Sequence, residues 1–327
     1  MPLPEAEDLL LKFFRYHLHL FVPGAASEPA PPLSTAAQAT ALRSYISELR
    51  EAKVYLIPAK RLSVAADLPG RRILFVRPDG DFLAALAHTG LNVPSLRARH
   101  FPPFAHEKPE GELTDSDSWI GCISHSDQGA YNLLEALLGA ISLLLPLQRS
   151  RIFSMAGRNP SIYCLGGPWI ARLDGPKFPP LGNDHQLTAA DATLLRRLFE
   201  ERTGDDLQRR LELGLQFVGA GWAPASRFSF LHNAIAFDAL FGEQRKVRRS
   251  ITERVSLLAA SVPGIEDRIG RLIDMRNALL HGEISTVESS PAYPGYYEIF
   301  GCDPHEDQVR ILAACIRSLG ETKYLPE

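Results

Sequence analysis

The chain has 327 residues, of which 45% are hydrophobic and 22% are charged, and these fractions are typical of globular proteins. Because domains commonly contain about 100–200 residues, a chain of this length is expected to hold two of them. The formal net charge of −3 excludes a protein that is coated with nucleic acid over its whole surface, although it allows a local basic groove.

The sequence shows no targeting or membrane signal. The four cysteines form no CxxC motif, and the first residues do not combine a positive segment with an apolar one. The most apolar run, 133–147, is shorter than the roughly 20 residues that a membrane helix needs, and it contains Glu135 and Pro146. We therefore expect a cytoplasmic protein with reduced thiols and no membrane contact, in which this run forms a buried helix.

The first part of the chain predicts a mixture of strands and helices. β-Branched or aromatic runs bounded by Pro or Gly predict strands at 54–58, 73–76, 152–155, 161–165 and 169–173. Apolar residues at helical spacing predict helices at 37–51, 82–87 and 131–145. The stretch 94–129 is rich in Pro, His, Asp and Ser, so it is expected to be mostly irregular.

A Pro-rich segment at 176–182 is the predicted domain boundary, and helical patterns dominate after it. Five or six helices are expected there, including 226–241, 265–281 and a last one that runs to about 319. Side chains that cap helix starts mark several of them: Thr188, Asp205, Ser250 and Asp303. The sequence thus predicts an α+β protein with a mixed α/β domain at residues 1–183 and an all-α helical bundle at residues 184–327.

One motif combines groups that suit RNA chemistry. Arg276 and Asn277 are followed by His281 and Gly282 at the end of an amphipathic helix. Metal-free RNA cleavage requires proton transfer at the ribose 2′-OH and at the leaving 5′-oxygen, together with a cation beside the phosphate. Histidine exchanges protons near neutral pH, and arginine carries a fixed charge with a fork that matches phosphate. Gly282 fits a helix-ending position, which would place His281 in the last turn.

The geometry of this motif leaves several arrangements open. Asn277 and His281 share a helix face, whereas Arg276 lies about 140° from His281 on an ideal helix. The pair can meet if the helix end unwinds, if the long Arg276 side chain curls round, or if a second protomer contributes. We favour a two-fold dimer in which both motifs line one cleft. Spacing alone favours a structural role, since the chain also contains Arg227 and His232 at the same separation.

The stretch 228–282 resembles the HEPN superfamily (higher eukaryotes and prokaryotes nucleotide-binding), in particular its Apea-type members. The similar pieces are AFDALF at 236–241, ITERVSLL at 251–258 and RNALLHG at 276–282. The resemblance implies an all-α homodimer that cleaves RNA without metal or cofactor, as many members do in toxin–antitoxin, anti-phage and CRISPR-linked systems. By position, Arg276 and His281 would be the catalytic pair and Asn277 the accompanying polar residue.

Asp238 departs from the family pattern, which usually has Glu at this position. We expect Asp238 to form a structural ion pair with Arg254 that holds two helices together.

Further basic and aromatic residues surround the motif. A basic corner, defined as Arg245, Lys246, Arg248 and Arg249, is a candidate RNA-binding surface, with a solvated turn between helices as the alternative. Three tyrosines on a predicted loop either stack on bases or, as we favour, pack over the helices: Tyr293, Tyr296 and Tyr297.

Three functional hypotheses follow from the sequence. The first is a metal-independent endoribonuclease that acts as an anti-phage defence or toxin effector, with RNA as substrate and an antitoxin or defence-system protein as a possible partner. The second is a catalytically inert HEPN dimerisation or adaptor module that acts through a protein partner bound by the first domain. The third is a nucleotide binder, for which the chain offers no phosphate-binding loop.

Overall fold

The computed structural model describes residues 52–59, 61–65, 68–76, 118–145, 161–165, 170–175, 181, 183–201, 206–222 and 226–321. The described strands in chain order are β1 (Lys53–Ala59), β2 (Leu62–Val64), β3 (Leu68–Pro69), β4 (Ile73–Val76), β5 (Ser118–Ser124), β6 (Ser161–Leu165), β7 (Ile170–Asp174) and β8 (His185–Leu187). The described helices are α1 (Asp127–Leu144), α2 (Ala189–Phe199), α3 (Asp206–Gly221), α4 (Ser226–Phe241), α5 (Val247–Leu258), α6 (Ile265–Leu280), α7 (Ala292–Phe300) and α8 (Pro304–Glu321). The fold is therefore mixed, with helices and a small sheet, as the α+β prediction requires.

Six strands form one antiparallel sheet in the order β3-β4-β5-β1-β6-β7. The inner strand β1 is rich in β-branched and aromatic residues, and Val54–Ile57 are fully buried, which is expected of a strand covered on both faces. Tyr55 pairs with Cys122 of β5 on one side and with Cys164 of β6 on the other. A separate two-stranded sheet joins β2 to β8 in parallel.

Helix α1 connects the sheet to the helical part of the protein. It packs against β5 on one side and against α3 on the other. The backbones of α1 and α3 approach closely because glycines lie at the contact: a Cβ at Gly139 would overlap with the carbonyl oxygen of Leu215, and one at Gly219 with that of Glu135. Residues Lys53–Glu327 form one compact unit, and a single hydrophobic core continues from the sheet into the helices.

A carboxylate fastens the turn between β3 and β4 to the end of α2. Glu200 accepts hydrogen bonds from the backbone N–H groups of Arg71, Arg72 and Ile73 at 2.9, 2.7 and 2.7 Å. The Arg72 side chain adds an ion pair with Glu212 on α3 at 2.7 Å. Charged groups thus satisfy the backbone of a turn that would otherwise lack partners.

Several predicted elements are confirmed. Helix α4 and the strands β4 and β6 have the predicted bounds, and the apolar run after residue 133 belongs to the buried helix α1. Thr188 caps α2 in a reciprocal capping box with Asp191, and Asp303 accepts from the backbone N–H groups of the first turn of α8. In the part of the chain that the structure describes, no helix combines the length and the apolar character needed to cross a bilayer.

Other element predictions are wrong. Strand β5 lies inside the stretch 94–129, which was expected to be mostly irregular, and all seven of its residues pair with β1. Helix α5 begins at Val247, so the expected cap Ser250 lies inside the helix, where its hydroxyl donates back to the Lys246 carbonyl at 3.1 Å. The segment that carries the three tyrosines is the helix α7 rather than a loop.

The predicted helices 37–51 and 82–87 and the strand 152–155 lie outside the described residues. The division into domains 1–183 and 184–327 stays a prediction.

Candidate active site

Helix α6 ends in a defined cap that fixes the position of His281. Gly282 adopts a left-handed conformation with φ = 72°, which an L-residue with a side chain rarely tolerates. Its N–H donates to the Leu279 carbonyl at 3.2 Å, and the N–H of Glu283 donates to that of Ala278 at 2.9 Å. These two bonds form a Schellman motif. His281 is therefore the C-cap residue, and its side chain is exposed.

Arg276 curls from α6 toward α4. Its Nη2 forms an ion pair with Asp238 Oδ2, and its Nη1 donates to Asn277 Oδ1 at 3.1 Å. Neighbouring helical residues leave the axis about 100° apart, so the contact with Asn277 requires the guanidinium to bend round the helix. The Arg276 side chain therefore curls, but toward Asp238 and Asn277 and not to His281, so none of the three arrangements that would join Arg276 to His281 is seen in this structure.

The structure brings together Asp238, Arg276 and Asn277, but it does not join Arg276 to His281. Asn277 and His281 lie four residues apart on one helix face, so the guanidinium reaches toward the face that carries the imidazole. Within the described ranges, no hydrogen bond or ion pair engages the His281 side chain. The motif therefore presents a fixed cation and a free imidazole at the same end of α6.

Burial raises the pKa of Asp238 above its usual 3.8, and this effect outweighs the opposing attraction of Arg276. Only 27% of the Asp238 side chain and 20% of the Arg276 side chain are exposed. Partial burial strengthens the attraction between the carboxylate and the guanidinium, because the local dielectric is lower than in water.

The predicted ion pair between Asp238 and Arg254 is wrong. Arg254 instead forms an ion pair with Glu243 and donates to the Phe241 carbonyl at 3.0 Å. The last carbonyls of a helix lack partners within the helix and attract cations. The guanidinium of Arg254 therefore binds the end of α4, one turn beyond Asp238.

A small cleft lies behind the ion pair, between α4, α5, α6 and α8. Its volume is ≈ 20 Å³, and its polar lining residues are Asp238, Arg276 and Gln308. The rest of the lining is apolar, with Ala234, Phe237, Ile251, Ile269, Leu272 and Ile273. One side of the Arg276 side chain thus faces a mostly apolar surface.

The basic corner lies at the start of α5, close to α6. Arg248 forms an ion pair with Asp274 of α6 at 2.5 Å, and Arg249 forms one with Glu253 at 2.7 Å. Arg245 and Lys246 are exposed, and within the described residues their side chains have no ion-pair partner. The four predicted RNA-binding residues therefore differ in their availability to phosphate, because carboxylates already pair with Arg248 and Arg249.

Two of the three tyrosines of α7, Tyr293 and Tyr296, pack over the helices as expected. Tyr296 is fully buried and donates to Asp307 at 2.6 Å, and Tyr293 donates to Asp303. Tyr297 is exposed. Burial and the contact with Asp307 raise the pKa of Tyr296 far above its ordinary value.

Gln308, which was not among the predicted site residues, lies on α8 and lines the cleft behind Arg276. A polar residue within the apolar stripe of a helix is the sequence signal that points to Gln308. The buried residues of α8 include Gln308 together with Ile311, Leu312 and Cys315, so a polar residue occupies the apolar stripe. Such a position requires a hydrogen-bond partner or an internal water molecule.

Comparisons of the chain with protein-family models, with curated proteins and with solved structures gave no match. The resemblance to the HEPN superfamily therefore depends on the residues of the motif and of α4 and α5 alone.

Proposed function

We propose that this protein is a metal-independent endoribonuclease of the HEPN type, cytoplasmic, and an effector in anti-phage defence or a toxin. In this proposal residues 184–327 form the helical bundle, and residues 1–183 form a sensor or a docking domain for an antitoxin or defence-system partner. One observation carries the proposal: Arg276 Nη1 contacts Asn277 Oδ1 at 3.1 Å, which turns the fixed cation toward the helix face that ends in the exposed His281.

Each residue has a distinct role in the proposed reaction. His281 accepts the proton of the ribose 2′-OH or supplies the proton to the leaving 5′-oxygen, because an exposed imidazole exchanges protons near neutral pH. Arg276 stabilises the negative charge that develops on the pentacoordinate phosphorus. Asp238 and Asn277 hold the two terminal nitrogens of the guanidinium, so that less reorganisation is needed when the charge develops.

A homodimer completes the site in this proposal. Attack and departure at phosphorus occur on opposite sides, so one imidazole cannot serve both positions at once. Two copies of the motif that face each other across a two-fold axis would supply two imidazoles and two guanidinium groups to one cleft. The unpaired Arg245 and Lys246 of the basic corner would bind the RNA backbone beside the cleft.

The test is RNA cleavage by the purified protein in the presence of EDTA. We expect products with 2′,3′-cyclic phosphate ends. We also expect the rate to fall by at least a hundredfold for His281→Ala, as for the loss of one general acid or base, and for Arg276→Ala, as for the loss of one group that stabilises transition-state charge. His125→Ala and Arg209→Ala are matched controls, because both residues are exposed and lie outside the motif. The controls are expected to cleave like the wild type.

The adaptor hypothesis predicts the opposite result. The ion pair between Arg276 and Asp238 favours the adaptor hypothesis, because it gives Arg276 a structural partner. A silent assay with every candidate partner added, or equal cleavage by wild type and both variants, would overturn the nuclease proposal and leave a dimerisation or adaptor module.

A further inference from the structure

Two buried polar atoms near the proposed site have no hydrogen-bond partner among the described residues. One is the donor Nε of Arg276, and the other is the acceptor Oε1 of Gln308. Gln308 is 1% exposed. Native proteins rarely leave buried polar atoms unpaired, because such an atom has lost its hydrogen bonds to water without gaining others. The coincidence of an unpaired donor and an unpaired acceptor therefore needs an explanation.

Both residues line the same cleft. Its volume is ≈ 20 Å³, and a cavity of about 10–15 Å³ holds one water molecule when polar partners are present. Asp238 also lines the cleft, so three polar residues contribute to its otherwise apolar lining. The space is therefore large enough for one water molecule.

We propose that an internal water molecule occupies this cleft and that Gln308 is a positioning residue that acts on Arg276 through it. The water accepts a hydrogen bond from Arg276 Nε–H and donates one to Gln308 Oε1. Its second hydrogen is available to the carboxylate of Asp238. This arrangement satisfies both unpaired atoms and gives the water three partners, which is the usual number for a buried water.

The water fixes Nε, the one guanidinium nitrogen that neither Asp238 nor Asn277 binds. Asp238 binds Nη2 and Asn277 binds Nη1, so Nε is the remaining point about which the group can tilt. With all three nitrogens held, the guanidinium plane has one orientation. Helix α8 thereby controls the cation of a site that lies on α4 and α6. The consequence for cleavage rests on the proposed function, whereas the water itself does not.

The first test uses the wild-type protein and needs no RNA. The Arg276 Nε–Hε signal is assigned in a ¹H–¹⁵N spectrum by its loss in Arg276→Lys, and magnetisation transfer to a long-lived bound water is then measured. We expect a cross-peak to water and slow exchange of Hε with solvent. Absence of the cross-peak overturns the proposal, whatever the protein does to RNA.

The second test removes the acceptor. Gln308→Met keeps the length of the side chain but has no oxygen, and we expect the exchange of Arg276 Hε to become at least tenfold faster. Gln308→Glu keeps an oxygen at the same position and is expected to restore slow exchange. Gln208→Met is the matched control, because Gln208 is a buried glutamine on α3 whose Nε2 donates to Glu212 at 2.5 Å.

The RNA assay separates this inference from the proposed function. For Gln308→Met we expect kcat to fall by about tenfold to a hundredfold with little change in KM. A misplaced catalytic group stabilises the transition state less, whereas it leaves substrate binding nearly unchanged. Gln308→Glu should restore kcat. If the wild type does not cleave RNA but shows the water cross-peak, the function fails and the water site stands. Unchanged Hε exchange in folded Gln308→Met overturns the positioning role.

Discussion

At the scale of single residues, the partly buried carboxylate of Asp238 is the group on which the proposed site depends. It lies between apolar side chains of the cleft and the guanidinium of Arg276. The raised pKa of Asp238 means that burial destabilises its ionised form by more than the guanidinium of Arg276 stabilises it. A carboxylate in this position stabilises the orientation of Arg276 at the expense of the stability of the fold, as is common for functional groups.

We predict that Asp238→Asn changes the dependence of stability on pH. Because the pKa of Asp238 is raised in the folded protein, the folded state holds this proton more tightly than the unfolded state. The stabilising contribution is complete below the ordinary value of 3.8 and is lost as pH rises through the raised value. Unfolding in denaturant at pH values on both sides of this window should show that slope in the wild type and not in Asp238→Asn.

The same variant has an expected effect on RNA cleavage. Asparagine keeps the shape of the side chain but removes the charge that holds Arg276, so we expect the rate to fall by about tenfold, equivalent to about 1.4 kcal/mol. Asp206→Asn is the control, because Asp206 is an exposed acid that pairs with Arg209 on α3. In the unfolding experiment, a free energy of unfolding that depends on pH in the same way for wild type and Asp238→Asn would contradict the raised pKa of Asp238.

At the scale of helices and strands, close approach of backbones decides the packing of α1 against α3. Gly139 and Gly219 lie where any side chain would overlap with a carbonyl oxygen of the other helix. Glycine costs up to about 1 kcal/mol in a helix interior relative to alanine. Its presence at both contact points indicates that the gain from close packing exceeds this cost.

Two glycine substitutions should therefore have effects of opposite sign. We predict that Gly139→Ala destabilises the protein by about 1–3 kcal/mol, because the added methyl group forces the two helices apart. Gly295→Ala, in α7, should be neutral or stabilising by up to about 1 kcal/mol, because the added Cβ would meet nothing within 4 Å beyond its chain neighbours and the nearby backbone of its own helix. Thermal unfolding of both variants measures the difference. Equal losses at both sites would show that α1 and α3 can separate without cost.

At the scale of the whole molecule, the proposed dimer gives a meaning to the exposed apolar residue beside the motif. Leu280 directly precedes His281 and is 52% exposed. If two motifs face each other across one cleft, Leu280 lies at or near the contact between the protomers. A leucine that is buried on association contributes more to affinity than an exposed one.

We predict that Leu280→Glu weakens the dimer by at least tenfold, because each copy would bring a charge into an apolar contact and the symmetry doubles the effect. Leu257→Glu is the control, since Leu257 is 59% exposed on α5. Light scattering over a range of concentrations measures the dissociation constant, and thermal unfolding checks that both variants fold. A monomeric wild type, or equal dissociation for both variants, would contradict the proposed arrangement.

The sequence by itself determined the features that depend on neighbouring residues. Thr188 and Asp303 cap helices because their oxygens reach backbone N–H groups two or three positions away. Gly282 ends α6 because its backbone alone can adopt a positive φ there at little cost. The position of His281 at the helix end follows from that glycine and was predicted.

The tertiary structure alone decided the features that depend on distances between helices. Asp238 pairs with Arg276, 38 residues away, rather than with Arg254, and no local pattern distinguishes the two arginines. Likewise, nothing next to Gln308 in the sequence places it behind Arg276. Capping and turn formation act over a few residues, whereas ion pairs and clefts depend on how α4, α6 and α8 pack, and that packing depends on the whole core.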